Sequence, residues 1–453
     1  MDRAATPQVS RVGFLLRALS HRNYRLFFFG NGLSLIGTWM TWVATRWLVY
    51  RLAGASGSQR AATILGFVSF AGQLPLFVLA PFAGVIVDRL NRHRVLLATQ
   101  FLSMLESAAL AVLALLHVIT IPQVLMLNVF QGLVNAFDIP ARQSFVAEIV
   151  ERRDDLPNAI ALNSSMFNVA RLIGPAIGGV LLARFGEGAC FSVDAVSYFA
   201  VLLALLAMTV RPVRARESHT GALTDLRDGF RYALGFAPVR TILLLVGAMS
   251  FTSSAFQVLL PVFAAQSKLV FFRNPSGMFG AMVAAMGVGA LGGALYLASR
   301  RSVLGLGRVL ARAAALLGLA MIGFGFSRAI WLTLPLATIG GFGLIVNMAS
   351  GNTLLQSIVD DEMRGRLMSF FSMSVMGMAP FGSLIAGWAS DRIGPGRTVI
   401  VGGFITIICA GLFTTKIPEM RKLIRPIYVR KGIIPEVAEG LQNASTLLRS
   451  ERR

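Results

Sequence analysis

Twelve times along this chain the ionisable side chains withdraw, leaving an almost uncharged run that, as a helix, is long enough to enter a bilayer. The runs are Leu26 to Thr45, Ala61 to Val87, Val95 to Leu116 broken only by Glu106, Val118 to Phe137, Asn158 to Ala183 broken by Arg171, and Gly188 to Val210 broken by Asp194. They continue with Thr241 to Gln266, Ser276 to Ser299, Ala313 to Ser327, Ala329 to Val359, Leu367 to Ser390 and Thr398 to Thr415. The ninth is short and relies on Arg312 and Arg328 snorkelling to the interface. None alternates in polarity every second residue, as a strand of a membrane barrel would. With 55% hydrophobic and 14% charged residues, the chain is too apolar for a water-facing surface. The expectation is an all-α membrane protein of 12 transmembrane helices.

An even number of crossings puts both termini on one side, and the arginine and lysine bias names it. The two ends and the loops 88–94, 142–153, 211–240, 300–312 and 364–366 hold 32 of the 42 basic residues. Both ends are therefore expected in the cytoplasm, and the net charge of +21 reports topology and anionic membrane lipids. The basic residues form no single stripe, so no nucleic-acid partner is expected. Five arginines precede the first run without a cleavage pattern, which reads as a signal anchor that stays. Cys190 and Cys409 share no metal-type spacing and read as packing residues.

The stretch GVIVDRLNRHR, from Gly84 to Arg94, concentrates charge between two apolar runs. Its frame, a glycine followed four residues later by Asp88-Arg89, returns at Gly387 with Asp391-Arg392. Worn copies follow Gly179 and Gly293, so the four glycines fall 95, 114 and 94 residues apart. Each lies near the end of run two, five, eight or eleven. Two six-helix halves, each an inverted three-span repeat, produce this spacing, with one longer insert between them. Such repeats build rocking transporters with a site at the repeat interface. The expected divisions are a cytoplasmic segment 1–25, a bundle 26–210, a cytoplasmic linker 211–240, a second bundle 241–416 and a cytoplasmic tail 417–453.

On these residues the chain resembles the major facilitator superfamily of secondary transporters. The family's loop signature, Gly-x-Leu-Ala-Asp-Arg-x-Gly-Arg-Lys/Arg, departs here at Ile86, Val87, Asn91 and His93; Asn91 keeps some of the left-handed tolerance of glycine. The resemblance implies a gate of Gly84, Asp88, Arg89, Arg92 and Asp138. In it Asp88 sits near the start of helix eleven, favoured by the helix dipole, and Arg92 pairs with an acid low in helix four, for which Asp138 is positioned. Gly174-Pro175-x-x-Gly178-Gly179, preceded by Arg171, looks like the antiporter motif of the family's exporters. Its small residues admit a close neighbour and its proline loosens one backbone bond. Residues 138–179 and the stretch from Asn23 to Trp47 are similar to the enterobactin exporter and macrolide efflux branch.

Ionisable groups inside the spans read as functional, with a partner to be found. Glu106 and Asp194 are the proton-coupling candidates. Glu106 is the deepest carboxylate, or else an anchor bonded to Ser103 or Ser107; Asp194 reads more simply as a carboxylate snorkelling outward. Arg171 either neutralises a carboxylate or meets an anionic cargo. Trp39, Trp42 and Arg46 share one helical face and suit an aromatic, acidic or amphipathic molecule, although an interfacial tryptophan belt explains them as well. Gln257, Asn347 and Asn352 are candidates for the opposite wall. Gly287-x-Gly289-x-x-Gly292 lies inside an apolar span with no strand before it and is no nucleotide fingerprint.

The function expected is a proton-coupled antiporter, monomeric and without cofactor or metal, in a bacterial inner membrane. It exports a small amphipathic molecule such as a siderophore or drug, and so would contribute to multidrug resistance. The alternatives are uptake or lysolipid transport by the same fold, or a membrane-embedded sensor or enzyme; an enzyme is not expected, because no cluster of His, Asp or Cys marks one membrane face.

Overall fold

The computed structural model of the protein describes residues 16–55, 60–209, 231–266, 274–300, 302–359 and 361–434. Among them every regular element is helical. Besides short 3-10 turns at Arg17–Ser20 and Arg153–Asp155 and a helical turn at 231–235, the α-helices in chain order are α1 Arg22–Ala55, α2 Ala61–Arg89, α3 Arg92–Leu115, α4 Ile121–Ile149, α5 Leu156–Leu206, α6 Ala237–Val258, α7 Leu260–Gln266, α8 Pro275–Ala298, α9 Leu306–Phe326, α10 Ile330–Ile358, α11 Asp361–Ile393 and α12 Pro395–Arg430. Helices are what a bilayer demands, because each closes its own backbone hydrogen bonds.

Eleven helical stretches among the described residues are long and apolar enough to cross a membrane. One of them contains α5, whose 51 residues break at Gly186, where φ is 79° and ψ is −177°. Only glycine takes that conformation without strain. At 1.5 Å per residue α5 is about 75 Å of helix, enough for two crossings, and its arms coincide with the fifth and sixth apolar runs. The seventh run is α6 and α7 together, interrupted at Leu259 just before Pro261.

Two boundaries differ from the sequence expectation. Helix α9 starts at Leu306, so Arg308 and Arg312 lie in its first turns. Helix α12 continues past residue 416 to Arg430, carrying a basic extension beyond the apolar run. Most of the 211–240 linker lies outside the described residues, and α6 begins at Ala237.

The helices meet through small residues, as they must where lipid competes equally for apolar side chains. A Cβ on Gly318 would stand 2.8 Å from the Gly403 carbonyl oxygen, and one on Gly403 2.7 Å from that of Gly318, locking α9 to α12. Outward faces stay apolar: Phe326 is 70% exposed and Trp331 75%. In water such a surface would aggregate; in a membrane it is the lipid contact.

Below, the proximal end is the one where α1 begins and α12 finishes, and the distal end is the opposite one. The proximal end is pinned from the chain's first helix onward. Tyr24 Oη donates to the Ala159 carbonyl at 2.8 Å, and Asp155 Oδ2 lies 3.0 Å from His21 Nε2.

Candidate functional site

A polar cavity of about 180 Å³ opens inside the N-terminal half, walled by α1, α2, α3, α4 and the second arm of α5. Glu106, Asp194, Arg46, Trp42, Gln131 and Tyr198 line it. Asp194 does not snorkel: it is 1% exposed, and its Oδ2 accepts from Thr41 Oγ1 and Ser107 Oγ, each at 2.8 Å. Those two donors come from α1 and α3, so the carboxylate joins three elements of the half. Gly37 makes this possible, because a Cβ there would collide with Asp194 Oδ1. Two hydroxyl donors leave the carboxylate satisfied without a paired cation.

Glu106 is 5% exposed and accepts from the same Ser107 hydroxyl at 3.4 Å. Ser103, the other anchor expected for it, instead accepts from Gln131 Nε2 at 3.1 Å. One hydroxyl therefore stands between two buried carboxylates, and Gln131 Oε1 has no hydrogen-bond partner among the described residues. Spacing along the chain could not show this, because Glu106 and Asp194 lie on different helices.

The aromatic and cationic residues expected to form a wall divide between two tasks. Arg46 stacks on Trp42 at 3.7 Å from the ring centroid and donates from Nη1 to the Gln257 carbonyl at 3.1 Å, bridging the halves near the distal end. Gln257 thus takes part through its backbone. Arg171 lies 5.5 Å from the Trp39 ring, with Phe167 against the same indole, and has no carboxylate partner among the described residues. Asn347 is buried and donates to the Leu310 carbonyl at 3.4 Å within its own half, while Asn352 accepts from Gln356 at 2.8 Å. Asn347 thus bonds to a neighbouring helix of its own half and Asn352 to its own helix, since an amide in lipid needs a nearby partner.

The four glycine corners separate by end. At the distal end two are engaged. Asp391 accepts from the amides of Ala62 at 3.2 Å and Thr63 at 2.7 Å, capping the start of α2, where a carboxylate meets free N–H groups and the positive end of the dipole. A Cβ on Gly387 would lie 3.2 Å from Gly66 Cα. Likewise the Ala183 carbonyl accepts from Asn274 at the start of α8, and a Cβ on Gly179 would lie 2.6 Å from Gly280 Cα. At the proximal end, a Cβ on Gly84 would meet nothing within 4 Å, and Gly293 packs on Phe342 and Val346 of its own half. Among the described residues, the glycine corners that pack one half on the other are therefore the distal ones.

A model of the transmembrane secretion effector family, part of the major facilitator superfamily, matches residues 15–440. The chain belongs to the major facilitator superfamily. It is a multi-pass membrane transporter and not an enzyme. The staphyloferrin A transporter of Staphylococcus aureus is 28% identical over 392 residues, covering 86% of this chain and 95% of the relative. The multidrug efflux pump Tap of Mycolicibacterium fortuitum is 28% identical over 403 residues, covering 87% and 93%. The enterobactin exporter EntS of Citrobacter koseri is 23% identical over 418 residues, covering 91% and 96%, so the likeness to that exporter branch holds along the chain's length.

The superfamily's loop signature is built differently here from the sequence expectation. Arg92 pairs with Glu148, at the end of α4, and not with Asp138. Asp138 is held by its own helix neighbour Arg142 and by Thr99 Oγ1 at 2.8 Å and Gln100 Nε2 at 2.7 Å, while Arg142 also donates to Asn31 at 2.7 Å. The reason is reach: Glu148 lies nearly three helical turns beyond Asp138, level with the loop that carries Arg92. Asn91 is extended, at φ −70°, and its Oδ1 accepts from the Arg94 amide at 3.0 Å; it caps α3, and the left-handed role expected of it is absent. Arg89 is exposed, and the Asp88 side chain lies outside the described residues.

The antiporter-like stretch sits where the halves and α1 converge. Cβ atoms on Gly174 and Gly178 would press on Trp39 and Met40 of α1, at 2.6 Å and 3.1 Å, while Gly179 faces α8. Pro175 is buried inside α5 beside them. Glu148 is not among the residues that sequence offers for the site, and Asp391 enters there only as part of the repeat. Asp391 was visible as the fourth copy of the repeat, and its partner, a helix start some 330 residues away, was not.

A double-mutant cycle tests the corrected pairing. Arg92→Gln and Glu148→Gln are expected to couple by about 0.5–3 kcal/mol in thermal denaturation, and Arg92→Gln with Asp138→Asn by nothing measurable. Coupling in the second cycle alone would restore Asp138 as the partner.

Proposed function

We propose that the chain is a proton-driven exporter of small amphipathic organic molecules, working by alternating access in a bacterial inner membrane with both termini cytoplasmic. It works as a monomer of twelve crossings, in two six-helix bundles at 26–210 and 241–416 joined by the 211–240 linker. The observation that carries proton coupling is the Glu106–Ser107–Asp194 cluster, two buried carboxylates sharing one hydroxyl in a polar cavity. A carboxylate inside a span is costly and persists where it does work, and a proton relay is one such task. Export is favoured by the efflux pump and the enterobactin exporter among the relatives.

In this reading the structure stands open toward the cytoplasm, ready to load cargo. Closing it brings Gly84 and Asp88 to the start of α11, the proximal counterpart of the Asp391 cap, while the distal corners part. Arg171 over Trp39, beside Phe167, supplies charge and aromatic surface for the cargo.

The test is flux in proteoliposomes under an imposed pH gradient, with a panel of dyes, drugs and catechol compounds. Gradient-driven movement of at least one amphipathic member is expected, and none across the panel would remove the reading. Arg171→Gln is expected to weaken the binding of anionic members by about 10–150-fold, the roughly 1.5–3 kcal/mol of one hydrogen bond to a charged group, and to spare neutral ones. Equal weakening of both classes would assign Arg171 to packing. A protease site placed in the 211–240 linker should be cut only from the cytoplasmic side.

A further inference from the structure

Two adjoining cavities of about 300 and 290 Å³ lie at the proximal end of the C-terminal half, between the first turns of α9 and the extension of α12. They share Arg308, Ile417 and Arg421. Leu306, Leu354, Met420 and Ile424 make the larger one apolar, while Arg308, Arg312, Arg421 and Arg425 stand along the pair. Each helix contributes two arginines four residues apart, hence on one face. We propose that this trough binds one anionic phospholipid, its phosphodiester held by the arginines and an acyl chain laid on the apolar floor.

Three observations support the assignment. No aspartate or glutamate lines either cavity, and none of the four arginines has a carboxylate partner among the described residues. Glu419, the acid nearest them along α12, faces Lys416 at 3.5 Å. Four like charges along one trough repel unless an anion lies among them. The walls are also built to hold their shape. Lys431 Nζ donates to the Val359 carbonyl at 2.6 Å and that of Ser357 at 3.3 Å, fastening the end of α12 to the end of α10. Tyr428 Oη lies 2.9 Å from Ser357 Oγ, and Arg300 Nη2 donates to the Leu304 carbonyl at 3.0 Å.

The third is position along the membrane normal. The ninth apolar run begins at Ala313 and the twelfth ends at Thr415, so at 1.5 Å per residue Arg312, Arg308 and Arg421 lie within about 10 Å of the hydrocarbon's edge, at headgroup level, and Arg425 one turn farther out. Basic pockets between helix ends at this depth suit anionic headgroups. A free phosphate would use the arginines and leave the apolar floor unused.

The test uses the full-length protein in detergent, delipidated and titrated with phosphatidylglycerol, with phosphatidylcholine of the same chains, and with glycerol phosphate, read by native mass spectrometry. Phosphatidylglycerol is expected to survive collisional activation that strips phosphatidylcholine. Its affinity should fall about fivefold for each arginine removed in the series Arg308→Gln, Arg421→Gln and Arg425→Gln, with phosphatidylcholine unaffected. The matching Arg→Lys variants should keep most of the binding, which separates loss of charge from loss of fold.

Equal phosphatidylglycerol retention by wild type and the glutamine variants would overturn the site. Displacement by glycerol phosphate at equal concentration would make it a free-anion site instead. A rise in phosphatidylglycerol binding on Glu436→Gln with Glu439→Gln would name the chain's own tail as the occupant and also overturn the proposal.

Discussion

Asp194→Asn is expected to lower pH-gradient-driven flux by about 5–150-fold, the range for loss of one coupling contact between two sites. The asparagine keeps the shape of the side chain and can still accept from Thr41 and Ser107, so folding should survive, but it cannot cycle a proton. Glu106→Gln should fall in the same range. Because one Ser107 hydroxyl serves both carboxylates, the double variant should be little worse than the poorer single one, the mark of groups acting as a unit. Read from sequence, Glu106→Gln outweighs Asp194→Asn; with both acids in one cluster that asymmetry is no longer expected. Gradient-free exchange of cargo, measured in the same vesicles, should change far less. Full gradient-driven flux in Asp194→Asn would remove the cluster from the coupling mechanism.

The second large effect concerns the distal contact. Gly387→Leu puts a side chain against the Ala62 carbonyl and within 3.2 Å of Gly66 Cα, both backbone atoms of the other half that cannot swing aside. Overpacking of this kind costs about 1–3 kcal/mol, occasionally more, and the whole cost falls on the distally closed state. A shift of that size moves a two-state population by about 5–150-fold, so transport should stall with the distal end open. The measurement is thiol labelling of Ser383→Cys, a buried position on α11 facing Gly66, in a background where Cys190 and Cys409 are alanine. Labelling from the distal side should rise sharply in Gly387→Leu. Unchanged labelling together with normal flux would mean that the glycine contact is not part of the gate.

How much of this could be read in advance varies by residue, and for physical reasons. Among the described residues the membrane-length helices were legible apart from their ends, because in a bilayer the absence of charge over some twenty residues leaves few other structures open. The α5 break was half legible: the charged group Arg184 to Glu187 predicts a turn, and its being a single glycine at φ 79° does not follow from hydropathy. The four-corner repeat was legible as spacing, and its meaning was not. Asp391 and Asp88 look alike along the chain, yet Asp391 is identified as a helix cap only by the proximity of α2, which belongs to the other half.

Asp194 is the clearest case of a residue whose neighbourhood reversed its reading. Its distance from the end of an apolar run favours snorkelling, and a carboxylate without donors would do that. Thr41, Ser107 and the missing side chain of Gly37 come from two other helices and together make burial tolerable. Arg92 shows the converse: the type of its partner was right and the choice wrong, since two acids on α4 differ by nearly three turns and only the helix's placement decides which is level with the loop. Sequence alone determined the class of solvent and the helical character of the apolar runs and pointed to a repeat, because each follows from one-dimensional patterns of charge and small residues. The carboxylate cluster, the pairing of Arg92 and the end at which the halves touch were decided by tertiary structure, because each depends on which atoms of distant helices come within hydrogen-bond or van der Waals reach.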